Sequence, residues 1–229
     1  MGLMAEAEET DLNVPKTHQL EGARLEKMTQ NLAYKHILKK KRIDPLTKTG
    51  KTALAKVMSK AKGAGAKISE KDIWMGLKGP PNMKGNIADF LWKILQGKLK
   101  IGNYWKNIPG YEEQASCKMC GSLETLDHIL LECDAEGRKE TWDMAERLWK
   151  ETTKRSKNKW MNPNAMLLAG IAGVKVLKKV GDKNATKKYK DIAAETAWLL
   201  WKIRNERTIG GKAIKKEEVK KRWMKAMKK

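Results

Sequence analysis

Apolar residues recur at intervals of three and four along most of this chain, and no stretch alternates apolar with polar residues for long enough to make a sheet strand. The run GARLEKMTQNLAYKHILKK places Leu25, Met28, Leu32, Ile37 and Leu38 near one helical face and ends in the basic turn Lys39, Lys40, Lys41 and Arg42. Asp44-Pro45 breaks that helix. TKTGKTALAKVMSKAKG opens a second, with Leu54, Val57, Met58 and Ala61 apolar and an exit at Gly63 and Gly65. Ser69 is placed to cap a short helix, SEKDIWMGL, which stops before the rigid turn Gly79-Pro80-Pro81. NIADFLWKILQGKL is strongly amphipathic, with Ile87, Phe90, Leu91, Ile94 and Leu95 on one stripe. Farther on, TWDMAERLWKE groups Trp142, Ala145, Leu148 and Trp149, and Asn162-Pro163 opens a helix through LLAGIAG. The last long helix runs from about Lys183 to Arg207, with Tyr189, Ile192, Thr196, Leu199, Leu200 and Ile203 inward. Residues 1–20 hold an acidic cluster and Pro15 without periodicity, which predicts a flexible arm.

Charge changes the picture. Lys and Arg number 49 against 27 Asp and Glu, a net charge of +22 that repels itself unless a partner neutralises it. RNA and DNA are the commonest polyanions to do so, although any single lysine here is first of all a solvated helix face. The chain has nine Trp and one Phe. Trp92, Trp142, Trp149, Trp198 and Trp201 recur in helix-period patterns with Leu and Ile and are expected in the core. Trp105 and Trp160 fall in loop-like stretches and are the better candidates for stacking on bases. No apolar run reaches the roughly 18–20 residues of a membrane span, and the acidic start MGLMAEAEETD lacks the pattern of a secretion signal. Glu6 stands where a myristoylation signal at Gly2 wants Ser or Thr. An intracellular protein is expected, with the nucleus preferred to the cytoplasm if the basic cluster at 39–42 serves as a targeting signal.

The three cysteines fall in one window, CKMCGSLETLDHILLEC, with one of only three histidines, spaced C-x2-C-x7-H-x4-C. An odd number of cysteines in one short window is no disulfide framework and points to metal. A C-x2-C turn lets two thiolates grip one ion, Gly121 frees the backbone to curl around it, and His128 and Cys133 close a tetrahedron from a short helix. Cys117, Cys120, His128 and Cys133 are thus the candidate ligands of one structural Zn²⁺, because four protein donors leave no open position for a reacting water. The competing reading is three buried free cysteines near an exposed histidine. A haem attachment would need His at position 121, and a thioredoxin-like pair would need a βαβ pattern; neither is present. The expected fold is therefore all-α, an irregular helical domain with a small CCHC zinc-stabilised segment. Its regions are the arm 1–20, an N-terminal helical region 21–80, a zinc-binding domain 81–155 and a C-terminal basic helical region 156–229.

Catalytic machinery is not legible. Gly50-Lys51-Thr52 has the tail of a phosphate loop, but Pro45 stands where its first glycine belongs. His18 and His36 are isolated, and no carboxylate cluster suits a two-metal nuclease.

Taken together, GARLEKMTQNLAYKHI (22–37), IADFLWKILQGKLKIGNYW (87–105), the Cys/His window, WDMAERLWK (142–150) and AWLLWKIRNER (197–207) resemble the reverse transcriptase zinc-binding domain. That region lies near the C-terminus of non-LTR retrotransposon polyproteins, particularly fungal ones. The likeness covers most of the chain from residue 20 onward, and its specific part is the Cys/His window joined to the preceding Phe90-Leu91-Trp92-Lys93 helix. It implies Cys117, Cys120, His128 and Cys133 as ligands and a region attached to a nucleic-acid enzyme. The paired aspartates of the polymerase and the acidic set of ribonuclease H are missing, so neither activity carries over. Lys93, Lys98, Lys100 and Lys106, on or after the helix before the site, are the candidate phosphate contacts. The expected function is a non-enzymatic protein that binds RNA or DNA through phosphates, with no membrane and no small-molecule substrate. The alternatives are an interaction module for an acidic partner, such as reverse transcriptase or ribonuclease H domains, and a transposon remnant without function.

Overall fold

The structure is a computed structural model that describes residues 29–41, 48–63, 68–77, 83–153, 160–170 and 183–228. Helix dominates these residues and no strand occurs among them, so the all-α expectation holds. The chain forms two compact units, 1–47 and 48–229. The arm 1–20, Leu25, Met28, Arg42, the Asp44-Pro45 break, Gly65 and the Gly79-Pro80-Pro81 turn lie outside the described residues.

In the first unit, α1 (Gln30–Lys41) begins at Thr29, whose hydroxyl accepts from the Leu32 N–H at 3.3 Å. Leu32 is half-buried, whereas Ile37, expected on the same face, is exposed.

The second unit holds α2 (Lys48–Gly63), α3 (Glu70–Leu77), α4 (Gly85–Leu95), α5 (Asn103–Lys106), α6 (Arg138–Thr152), α7 (Ala165–Ala169), α8 (Lys183–Thr208) and α9 (Lys216–Met227). Its axis is α8, which packs on α4, α6, α7 and α9. Ala185, Tyr189, Ile192, Ala193, Thr196, Leu200 and Ile203 recur at three and four residues along it, and all are buried. Helix α4, packed on α7 and α8, buries Ile87, Phe90, Leu91, Ile94 and Leu95, as its period predicts. Phe90 meets Trp198 and Trp201 with ring centres 5.4 and 5.7 Å apart.

From α6, Trp149 is fully buried and its indole N–H donates to Ala185 O at 3.1 Å. Trp160 packs edge-on between Trp149 and Tyr189, at 5.9 and 4.9 Å. It is thus part of the core wall and not an open stacking ring. Tyr189 donates to Met161 O at 2.7 Å, and its burial pushes the phenol above its ordinary range.

Caps follow the sequence with one shift. Ser69 and Asp72 form a reciprocal cap at α3: Asp72 N–H donates to Ser69 Oγ at 3.2 Å, and Ser69 N–H to Asp72 Oδ2 at 3.1 Å. The cap of α7 is Asn164, whose side chain accepts from Leu167 N–H at 2.8 Å, and not Asn162. The helix expected to run on through LLAGIAG is described only to Ala169, and residues beyond Gly170 there lie outside the described set.

One further expectation differs from what the chain does. Trp92 is 43% exposed, because Phe90, Leu91, Ile94 and Leu95 already fill the buried stripe of α4. A helix that the sequence pattern does not announce, α9, closes the unit by burying Val219 and Trp223, whose indole N–H donates to Thr196 Oγ1 at 2.9 Å. The sequence regions 81–155 and 156–229 share packing contacts. Helices α4 and α6 from the first pack on α8 from the second, and the compact units divide between Thr47 and Lys48.

Candidate metal centre

Between α4 and α6 the chain abandons long helices. A 3-10 turn at Glu112–Ala115 leads into a single antiparallel pairing of Ser116 with Leu123, and residues 117–122 bend back between those two positions. Cys117 N–H donates to Ser122 O and Gly121 N–H to Cys117 O, both at 2.8 Å, which closes the bend around the first two cysteines. Gly121 takes φ +73°, a left-handed conformation that a side chain would strain. Met119 N–H points at Cys117 Sγ, 3.4 Å away.

The other two candidates come from a π-helical turn, His128–Glu132, in which Cys133 N–H bonds to His128 O at 2.8 Å. In an α-helix, residues five apart lie about 140° around the axis from one another. The wider i to i+5 turn brings His128 and Cys133 back to one face. Such turns are rare, and this one accounts for the five-residue spacing.

All four donor atoms lie within 4.8 Å of one another, so the group Cys117, Cys120, His128 and Cys133 can hold a metal ion. Cys117 Sγ and Cys133 Sγ are 3.7 Å apart, and Cys120 Sγ is 3.4 Å from His128 Nε2. A zinc tetrahedron with bonds of about 2.3 Å to sulfur and about 2.0 Å to nitrogen has edges of roughly 3.8 and 3.5 Å, so the spacing fits. It is too long for a disulfide, and all three cysteines are free.

Cys117, His128 and Cys133 are buried and Cys120 is exposed. Burial pushes the Cys133 thiol up to about 12, whereas hydrogen bonds from Ser122, its backbone first, draw Cys120 below its ordinary range. An ion entering here must displace the Cys133 proton.

Polar links bolt this segment to the helices. Glu124, directly after the cysteine bend, is buried and paired in a fork with Arg204 of α8, Nε to Oε1 at 2.9 Å and Nη2 to Oε2. The guanidinium also lies 5.5 Å from the Trp201 ring centre. Gly102 has φ +49°, and a Cβ there would stand 2.2 Å from Glu124 O, so only glycine permits this approach. Lys118 donates to Thr208 O at the end of α8 at 2.9 Å. Arg138 donates to the carbonyls of Leu131 and Cys133, and Trp142 to Leu130 O at 2.7 Å. Arg207 reaches Glu136 O at 2.9 Å, and the Glu136 carboxylate accepts from Lys216 N–H at the start of α9 at 3.0 Å.

The four candidate phosphate-binding lysines are divided. Lys93 on α4 is paired with Asp89 at 2.7 Å. Lys98, Lys100 and Lys106 are exposed around α5, with Lys100 Nζ 5.6 Å from the Tyr104 ring centre. Sequence reasoning missed Tyr104 and Tyr111, although their nearness to Trp105 in NYWKNIPGY was there to be read. It also missed the Glu124–Arg204 fork, whose partners stand 80 residues apart. His36 is half-buried on α1, and His18 lies outside the described residues.

Fold and site together define an all-α protein with a Cys3His group able to bind a metal ion. No protein-family model, curated protein or solved structure gives a significant match to the chain. Among the described residues, no helix is long and apolar enough to cross a membrane.

Proposed function

We propose that this is a zinc-stabilised, non-enzymatic nucleic-acid-binding protein, related to or part of a retrotransposon reverse transcriptase, that holds RNA or DNA through phosphate contacts. Zinc is the metal that three thiolates and an imidazole favour, and four protein donors close its coordination shell, which makes it structural. The resemblance of the Cys/His window and its preceding helix to the retrotransposon region supports the same assignment. The observation that carries the nucleic-acid part is the charge: +22 over the chain, with Lys98, Lys100 and Lys106 in solvent beside the metal segment.

Native mass spectrometry with and without chelator tests the first part; a single zinc ion per folded chain is expected, and a folded chain without metal overturns it. Salt titration tests the second. Affinity for RNA and DNA of unrelated sequences should fall steeply and linearly in log–log form, by roughly 0.7 to 0.9 log units per log unit of salt for each phosphate engaged. Flat salt dependence, or a tight acidic protein partner beside weak nucleic-acid binding, favours the interaction-module reading.

A further inference from the structure

The segment between α4 and the cysteine bend contains more than lysines. Tyr104, Trp105 and Tyr111 form one aromatic cluster: Trp105 and Tyr104 stand edge to face at 5.0 Å and 88°, and Trp105 stacks on Tyr111 at 5.8 Å and 29°. Tyr104 is 43% exposed and Tyr111 49% exposed, so both rings are open to solvent. Residues 97–111 carry Lys98, Lys100 and Lys106 and no acidic residue. Glu112 and Glu113 follow in the 3-10 turn and mark where the basic run stops.

The rings are held in place. Trp105 indole N–H donates to Lys100 O at 2.9 Å, and Asn107 Nδ2 donates to Asn103 O at 3.2 Å. Successive backbone bonds from Tyr104 to Ile101, Trp105 to Gly102, Ile108 to Trp105 and Tyr111 to Ile108, at 2.9 to 3.0 Å, wind the segment tightly. Gly102 presses this winding onto Glu124 beside the metal ligands.

We propose that this surface is a stacking platform for unpaired bases, with Tyr111 and Tyr104 offering ring faces and Lys98, Lys100 and Lys106 taking the phosphates, so that the protein prefers single strands over duplex. The inference rests on the nucleic-acid reading above and adds the strand preference and the rings that carry it. A duplex hides its base faces and gains only the lysines, whereas a single strand gains both. Trp105 backs the platform: wedged between the two tyrosines, it fixes their positions.

The test uses the full zinc-loaded chain and three labelled probes of equal length: a mixed-sequence single-stranded DNA, an abasic strand with the same phosphates, and a duplex, which carries twice the phosphates. Fluorescence anisotropy should show the natural strand bound at least tenfold more tightly than the abasic strand. A Tyr104→Leu, Tyr111→Leu variant should lose about tenfold for the natural strand and little for the abasic one, with zinc content and helical signal unchanged. Equal affinity of the unsubstituted protein for natural and abasic strands overturns the platform while leaving phosphate binding in place, and that result needs no variant to fold. Failure to bind any of the three probes at low salt overturns the nucleic-acid reading and the platform with it.

Discussion

The helical layer of α4, α6, α8 and α9 and the metal segment at 97–137 belong to one compact unit but are held by different physics. In the layer, burial is apolar: Phe90, Trp149, Tyr189, Leu200 and Trp223 lie among other large side chains, and their few polar atoms are all bonded locally. In the segment, the buried side chains are few. They include Ala115, Ile129 and Leu130, but also three candidate metal ligands and the carboxylate of Glu124. A stretch with so small an apolar core cannot offset its own ordering entropy by hydrophobic burial. Polar links to α8 hold it, and its Cys3His group could add a metal ion.

Removing a ligand should therefore produce the largest and most local effect. Structural zinc contributes on the order of 10 kcal/mol or more of apparent binding free energy that is also folding free energy. In a Cys117→Ser, Cys133→Ser variant, zinc should be lost and amide hydrogen exchange across 97–137 should rise to near-unprotected rates, while the middle of α8 stays protected. Loss of protection throughout the unit would break the comparison and make the metal the keystone of the whole fold. The opposite substitution comes next. Trp149→Ala removes a fully buried indole and its bond to Ala185, and should cost about 4 kcal/mol in urea unfolding with zinc content unchanged in the folded fraction.

Where the two regions meet, the Glu124–Arg204 fork decides how far they are coupled. Glu124→Ala leaves the guanidinium buried without its partner and should cost about 3 kcal/mol; a Glu124→Leu, Arg204→Met pair, which removes both charges, should recover most of that. If the paired variant is as unstable as the single one, the fork contributes more than the cost of an orphaned charge, and the segment is tied to α8 by the ion pair itself.

What the sequence made legible follows the same division. Helices α4 and α8 were readable because large apolar residues recur at three and four positions, and that period alone selects the buried face. The four candidate ligands were readable because their donor types occur almost nowhere else in the chain. Their convergence also needed the π-helical turn, which five-residue spacing does not announce. Helix α9 escaped notice because Val219 and Trp223 are its main anchors amid lysines. Trp160 was misplaced because its neighbours, Trp149 and Tyr189, are far from it in sequence and its own stretch has no period. The Glu124–Arg204 fork had no local signature at all. Pattern reports which face is buried; partners across the fold need geometry.

The smallest expected effect is electrostatic and belongs to the helical layer. Glu206 on α8 accepts two bonds from Arg222 of α9, at 2.9 and 3.0 Å, and those bonds hold its carboxyl below the ordinary glutamate range. A carboxyl whose value is lowered by folding stabilises the folded chain above its unfolded value, near 4.5, and that contribution is lost as pH falls through the lower folded value. The pair is partly open to solvent, with side chains 33% and 30% exposed, so screening limits it to under about 1 kcal/mol. A Glu206→Gln variant should match the parent in pH sensitivity above about pH 5 and lose stability less steeply below it, measured as urea midpoints from pH 7 to 3. Acid should act on the metal segment sooner, because protons compete with a bound ion for its donor atoms. In the parent protein, zinc release should therefore precede any change attributable to Glu206. If the two coincide, the segment and the layer unfold as one cooperative unit and the contrast between them fails.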